Sequence, residues 1–123
     1  MEQENTIKEK AKELFVNENQ IVDQLEKIIE LAKGKIQIYE KTGEPFLPNP
    51  GQYSNREKIF LIILGFFISN ESGVIDSPSV EINSLGRILE GIPTTTLSAP
   101  LKNLVDAKII LRASQGYQLN RHN

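Results

Sequence analysis

The chain has 123 residues, a formal net charge of -2, no cysteine and a single histidine, His122. The lack of cysteine excludes disulfides, thiol catalysis and cysteine-ligated metal sites, and one histidine cannot build a histidine triad or a clustered histidine metal site. The glycines are scattered singly along the chain, so it has no glycine-rich phosphate-binding loop. The length and composition therefore favour a small binding protein of about one domain over an enzyme. We expect no catalytic residues, cofactor or metal.

Apolar residues at alternating four- and three-residue spacing open the chain. This stripe predicts one long helix over residues 6–32, or two helices broken near Asn17 and Asn19. It either packs on its own domain or forms the seam of a homodimer, and the spacing fits both. The stripe consists of Ile7, Ala11, Leu14, Ile21, Leu25, Ile28 and Ala32, with Phe15, Val22 and Ile29 beside it.

The first residues of the chain are acidic and polar, unlike a signal peptide, so we expect a cytoplasmic protein.

A small hairpin is predicted over residues 35–47, where alternating apolar and polar residues meet a turn at Gly43. Pro45 confines its second strand to a sheet edge. The hairpin is either a ligand flap or a packing element. Prolines and a glycine in residues 48–51 mark a boundary. We therefore divide the chain into an N-terminal helical and hairpin extension, residues 1–53, which packs on the core or forms a dimer seam, and a second domain, residues 54–123.

A buried helix is predicted to begin after Ser54, because Ser54 and Glu57 have the spacing of a capping box. The apolar run that follows, at about ten residues, is well short of the roughly 20 needed to span a membrane. Its apolar residues cover the whole circumference, so we expect the N-terminal stripe to cover the side that faces away from the core. Residues 69–79 are expected to form a loop, and residues 80–82 a short strand.

The rest of the chain predicts two helices, joined by a tight turn, and a second hairpin. The first helix is expected to be capped by Asn83 or Ser84 and stopped by Gly91. The second is expected to take Pro93 in its first turn and to be amphipathic. Residues 108–112 and 117–119 then predict strands around a turn at 113–116. The apolar positions of the two helices are Leu85, Ile88 and Leu89, then Leu97, Leu101, Leu104 and Val105.

Helix, tight turn, helix and hairpin is an order that resembles the winged helix-turn-helix family, over about residues 54–120. The resemblance rests on Gly91 and Ile92 at the turn, the Thr-Leu-Ser sequence at 96–98, the pair Leu101 and Leu104, and the Ile109-Ile110 that opens the hairpin. It implies a three-helix core with a small β-wing. With the N-terminal helix and short hairpin predicted above, we expect an α+β, mostly helical fold. The resemblance also implies that the second motif helix lies in a DNA major groove.

On this resemblance we expect a small protein that binds double-stranded DNA, regulates transcription and forms a dimer. Short hydroxyl side chains at a helix N-terminus suit phosphate contacts, while Ala99 and Pro100 stand where related motifs often carry large polar or basic residues. The alternative is a winged helix that docks a protein and does not bind DNA; no effector ligand is indicated. The residues expected on DNA are Thr94, Thr95, Thr96, Ser98 and Lys102 of the helix, and Arg112 and Gln115 of the wing.

Charge is distributed unevenly along the chain. Residues 1–53 contain seven lysines and ten acidic residues, a balance of -3. Residues 84–123 contain five basic and two acidic residues, a balance of +3. The positive end therefore coincides with the helix-turn-helix motif, as attraction to phosphates requires.

Overall fold

The computed structural model describes residues 26–120 of the chain. The chain forms two compact units, Met1–Leu31 and Ala32–Asn123. Residues 26–32 are helical, which confirms the predicted N-terminal helix over that part. Gly34 follows it with a φ of 79°, as a helix stop requires. The rest of the predicted helix, with most of the stripe considered as a dimer seam, lies outside the described residues.

The second unit is a mixed α/β structure in which three α-helices lie between two small antiparallel hairpins, and this confirms the expected α+β class. Both predicted hairpins are present, and each forms a separate two-stranded sheet. The elements are β1 (Gln37–Ile38), β2 (Pro45–Phe46), a 3-10 turn (Pro50–Gln52), α1 (Asn55–Glu71), α2 (Ile82–Ile88), α3 (Thr94–Asp106), β3 (Ile110–Ala113) and β4 (Gly116–Leu119).

Helix α1 begins with the predicted capping box. The Ser54 hydroxyl accepts the Glu57 N–H at 3.2 Å, and the Glu57 carboxylate accepts the Ser54 N–H at 3.1 Å. The helix runs through Ser69, which was expected to begin a loop, and ends at Glu71. It extends further because Ser69 is buried and because the N–H and hydroxyl of Ser72 both donate to the Ile68 carbonyl. Within residues 26–120, no helix is both long and apolar enough to cross a membrane.

The β1–β2 hairpin packs on α1 at Gly65. A Cβ at this glycine would lie 2.5 Å from the Pro45 Cβ and 3.3 Å from the Ile36 Cγ2, so a side chain here would push the hairpin away. The hairpin thereby covers one side of α1. The N-terminal stripe, which was expected to cover the side facing away from the core, lies mostly outside the described residues. Ile59, Ile62 and Ile63 are fully buried elsewhere on the helix. Helix α1 is therefore enclosed on more than one side within its own unit.

The strand expected at residues 80–82 is a single bridge. Val80 exchanges two backbone hydrogen bonds with Tyr117 of β4, at 2.8 and 2.9 Å. Ile82 already belongs to α2, and Glu81 is the N-cap residue without a side-chain cap. The prediction that Asn83 or Ser84 caps this helix is therefore wrong. The bridge fixes the point at which the chain leaves the sheet, and the helix begins directly after it.

Helix α3 contributes Leu97, Leu101 and Leu104 to the core that α1 and α2 share. It ends in a Schellman motif, in which the Lys108 N–H donates to Val105 and the Ile109 N–H to Leu104. Lys108 takes the left-handed conformation that this motif requires, with a φ of 62°. The motif reverses the chain into the β3–β4 hairpin, called the wing below, and Ile110 enters the core.

Candidate nucleic-acid interface

Helix α3 is buried along one side and exposed along the other. Leu97, Leu101 and Leu104 are each at most 2% exposed. Successive helical residues are about 100° apart, so Thr95 and Lys102 lie on the side opposite these leucines, and both are exposed. This outer face, the side of α3 that carries Thr95 and Lys102, is the surface that a partner can contact.

The other predicted residues of α3 are distributed around the helix. Thr94 faces α2, since a Cβ at Gly86 would lie 3.1 Å from the Thr94 Cγ2. Thr96 lies on the opposite flank. Ser98 borders the outer face, and its hydroxyl donates a 3.4 Å hydrogen bond to the Thr94 carbonyl. The structure therefore spreads the three threonines around the first turn and brings Ser98 to the edge of the outer face.

The N-terminus of α3 has the chemistry of an anion site. Pro93 is its N-cap residue and makes no side-chain hydrogen bond, and the first turn holds no acidic residue. The Thr96 N–H donates to the Pro93 carbonyl at 2.9 Å, whereas the N–H groups of Thr94 and Thr95 have no acceptor within a helix. Aligned peptide dipoles add partial positive charge at this end. Phosphate or carboxylate oxygens are the groups that such an end binds.

The middle and the end of the outer face are less suited to DNA. Pro100 lies inside α3 and has no N–H to donate to the Thr96 carbonyl. Ala99 is exposed and short, so no long polar side chain projects beside it. Asp106 lies one turn after Lys102 on the same face, where its carboxylate repels phosphate. Bidentate base recognition uses arginine, asparagine or glutamine, so this face favours contact with the DNA backbone over base readout.

The wing presents a cation and an apolar side chain on opposite faces. Arg112 pairs with Tyr117 across the hairpin, and its guanidinium lies 5.9 Å from the centre of the tyrosine ring. Directly paired residues share one face of a sheet, so Arg112 lies on the same face of the wing as Tyr117. Leu111 lies on the other face and is 41% exposed. Gln115 is exposed in the turn between the strands, as expected.

Arg87 of α2 is engaged within the protein. Its Nη1 lies 2.8 Å from the Glu44 Oε1 and its Nη2 3.1 Å from the Glu44 Oε2, which makes a bidentate ion pair. The hydrogen bonds and the charge of Glu44 raise the pKa of Arg87 above its ordinary value. The ion pair therefore neutralises one of the five basic residues that make residues 84–123 positively charged. Its partners are 43 residues apart, and no local pattern indicates the pairing.

A shallow depression of about 860 Å³ lies on the β1–β2 hairpin. Tyr39 and Phe46 line it, and their rings stack with centres 4.6 Å apart. Every lining residue belongs to residues 37–46, so the depression is a surface of the ribbon itself. In the part of the chain that the structure describes, no three histidine, aspartate or glutamate side chains are grouped to hold a metal ion.

Comparisons with known proteins assign no family. No family model, curated protein or solved structure matches this chain. What the chain binds is therefore inferred from the residues of α2, α3 and the wing.

Proposed function

We propose that this chain is a winged helix-turn-helix protein that binds double-stranded DNA and regulates transcription. The order of elements supports the proposal: α1, the bridge at Val80, α2, a tight turn, α3 and the wing. Gly91 has a φ of 84° in that turn, a conformation that glycine adopts without strain. In this arrangement α3 occupies the place of the helix that enters the major groove.

The observation that carries the proposal is the uncapped N-terminus of α3 beside its exposed outer face. A DNA phosphate at this end would accept hydrogen bonds from the N–H groups of Thr94 and Thr95. The hydroxyl of Thr95 and the ammonium of Lys102 extend the contact along the groove wall, and the Ser98 hydroxyl joins them by exchanging its hydrogen bond to the Thr94 carbonyl for one to a phosphate. From the wing, Arg112 and Gln115 reach the neighbouring backbone.

The proposed contacts make binding weak and dependent on salt. Lys102 and Arg112 each neutralise one phosphate, and each neutralised phosphate contributes about -0.9 to the slope of log affinity against log salt. A homodimer through the N-terminal helix would double the number of contacts, which suits an interface with few cations. Base readout is expected to be modest, because α3 carries no side chain for bidentate base pairing before Asn103, which lies in its last turn.

A second candidate function is a winged helix that docks a protein and leaves DNA unbound. Two observations favour it: Leu111 is 41% exposed on the wing, and Asp106 lies on the outer face of α3. An apolar group and a carboxylate suit a protein surface better than a phosphate backbone. Affinity for DNA separates the two functions.

The test is fluorescence anisotropy of a mixed-sequence DNA duplex titrated with the full chain, at low and at physiological salt, with the mass in solution measured alongside. We expect binding at low salt that weakens steeply as salt rises. Circular dichroism of the same sample establishes that the protein is folded. No binding at low salt from folded protein would overturn the proposal and favour the protein-docking function.

A further inference from the structure

We propose that Arg87 is an additional phosphate-contact residue and that Glu44 withholds it from DNA. This inference rests on the proposed DNA-binding function and adds a residue that neither the helix face nor the wing supplies. It also gives the β1–β2 hairpin a role, since Glu44 lies directly before β2. The inference makes the hairpin a determinant of DNA affinity although it lies outside the helix-turn-helix motif.

Arg87 stands next to the proposed phosphate site. Its neighbour Gly86 packs against Thr94, the first residue of α3, with only 3.1 Å from a Cβ position to the threonine Cγ2. Consecutive Cα atoms are about 3.8 Å apart, so the backbone of Arg87 is close to the first turn of α3. Its side chain is 64% exposed, and rotation about its bonds can carry the guanidinium towards a phosphate at that turn.

The ion pair with Glu44 can be exchanged. It lies at the surface, where an ion pair contributes little to stability and is screened by salt. A phosphate accepts two parallel hydrogen bonds from a guanidinium in the same geometry as a carboxylate. Glu44 and a DNA phosphate are therefore equivalent ligands for Arg87, and they compete for it.

The fold holds the competitor in place. The Glu44 carbonyl accepts the Tyr39 N–H at 3.0 Å, and the Glu44 N–H donates to the Thr42 hydroxyl at 3.2 Å. The next residue, Pro45, is buried against Gly65 of α1. The backbone that carries Glu44 is therefore fixed, which keeps the carboxylate within reach of Arg87.

The experiment compares DNA binding by the wild-type chain with that of Glu44→Gln, Glu40→Gln, Arg87→Gln and the double variant Glu44→Gln with Arg87→Gln. Glu40→Gln is the matched control, since it makes the same charge change at an exposed residue of the same hairpin. Affinity for a mixed-sequence duplex is measured at about 50 and about 200 mM salt, with the fold checked by circular dichroism.

We expect Glu44→Gln to bind more tightly than Glu40→Gln at about 50 mM salt. One further phosphate contact steepens the salt slope by about 0.9, so Glu44→Gln should lose about threefold to fourfold more affinity than the control over this salt range. The double variant should lose the additional DNA affinity of Glu44→Gln. Arg87→Gln alone should change the affinity of the wild-type chain much less.

Equal affinities and salt slopes for Glu44→Gln and Glu40→Gln, in a chain whose wild type binds DNA, would overturn this inference and leave the proposed function intact. A wild-type chain that binds no DNA would overturn both.

Discussion

Helices α1 and α3 begin in opposite ways. At α1, the side chains of Ser54 and Glu57 satisfy each other's backbone N–H groups, and Glu57 places a negative charge at the positive end of the helix. At α3, Pro93 offers no capping side chain and no acid occupies the first turn. The protein thus supplies an anion to the N-terminus of α1 from its own sequence and places no such anion in the first turn of α3.

The two helices also differ in how much of their circumference is covered. Helix α1 is covered on one side by the hairpin that meets Gly65, and its other sides contain fully buried isoleucines. Helix α3 is buried along its leucine side, and its outer face is exposed. A helix enclosed on more than one side serves the core, whereas a helix with an exposed outer face and an uncapped N-terminus can bind a partner.

The largest expected effect tests this difference in coverage. Leu61 and Ile63 lie on opposite sides of α1 and both are buried, so Leu61→Ala and Ile63→Ala should each lower the free energy of unfolding by about 2–5 kcal/mol. On α3, Leu97→Ala should lower the free energy of unfolding by a similar amount. Thr95→Ala on the outer face should change that free energy by less than about 0.5 kcal/mol.

Urea denaturation of the four variants provides the measurement. A negligible loss for Leu61→Ala would show that the hairpin side of α1 is not part of the core.

A smaller effect tests the free N-terminus of α3. Thr95→Glu places a carboxylate in its first turn, so it should raise the free energy of unfolding by about 0.3–1 kcal/mol. The same charge should weaken DNA binding by about tenfold or more, because it stands where a phosphate is expected. Stability and affinity therefore move in opposite directions. Thr95→Gln is the matched control, equal in length and neutral. If Thr95→Glu and Thr95→Gln had equal free energies of unfolding and equal affinities for DNA, the proposal of an anion site at this end of α3 would be wrong.

The smallest expected effect concerns the capped N-terminus of α1. Hydrogen bonds from the Ser54 backbone and hydroxyl lower the pKa of Glu57 below its ordinary value of 4.5. A lowered folded-state pKa contributes stability above pH 4.5 that is lost as the pH falls through the folded value. Glu57→Gln keeps the capping geometry without the titration.

Urea denaturation of wild type and Glu57→Gln from pH 7 to about pH 3 measures this contribution. We expect the wild type to lose stability relative to the variant as the pH falls. A difference between the two that stays constant over this range would contradict the prediction.

Local patterns in the sequence predicted most of the elements of the second unit. The capping box at Ser54, the leucine side of α3 and the two hairpins each depend on residues a few positions apart. One error occurred where a distant residue decides the outcome. Val80 forms a single bridge because Tyr117 fixes it, and the helix then begins at Ile82 in place of the expected strand.

The candidate interface was predictable as a list of residues but not as a surface. Helical spacing predicts that Thr95 and Lys102 share a face, yet it does not show that Thr94 packs towards Gly86. The orientation of Arg112 depends on its cross-strand partner, Tyr117. The largest omission is Arg87, whose partner lies 43 residues away in a hairpin that looked independent of the motif.

The central claim is that α3 and the wing bind DNA through Lys102 and Arg112. The most direct test compares Lys102→Glu with Arg112→Glu against a matched double variant, Lys35→Glu with Arg56→Glu, whose exposed cations lie outside α2, α3 and the wing. Each substitution lowers the formal charge by two, so both variants go from -2 to -6.

Anisotropy of a mixed-sequence duplex at low salt should show no binding by the first variant and retained binding by the second. Equal binding by the two variants would contradict the claim.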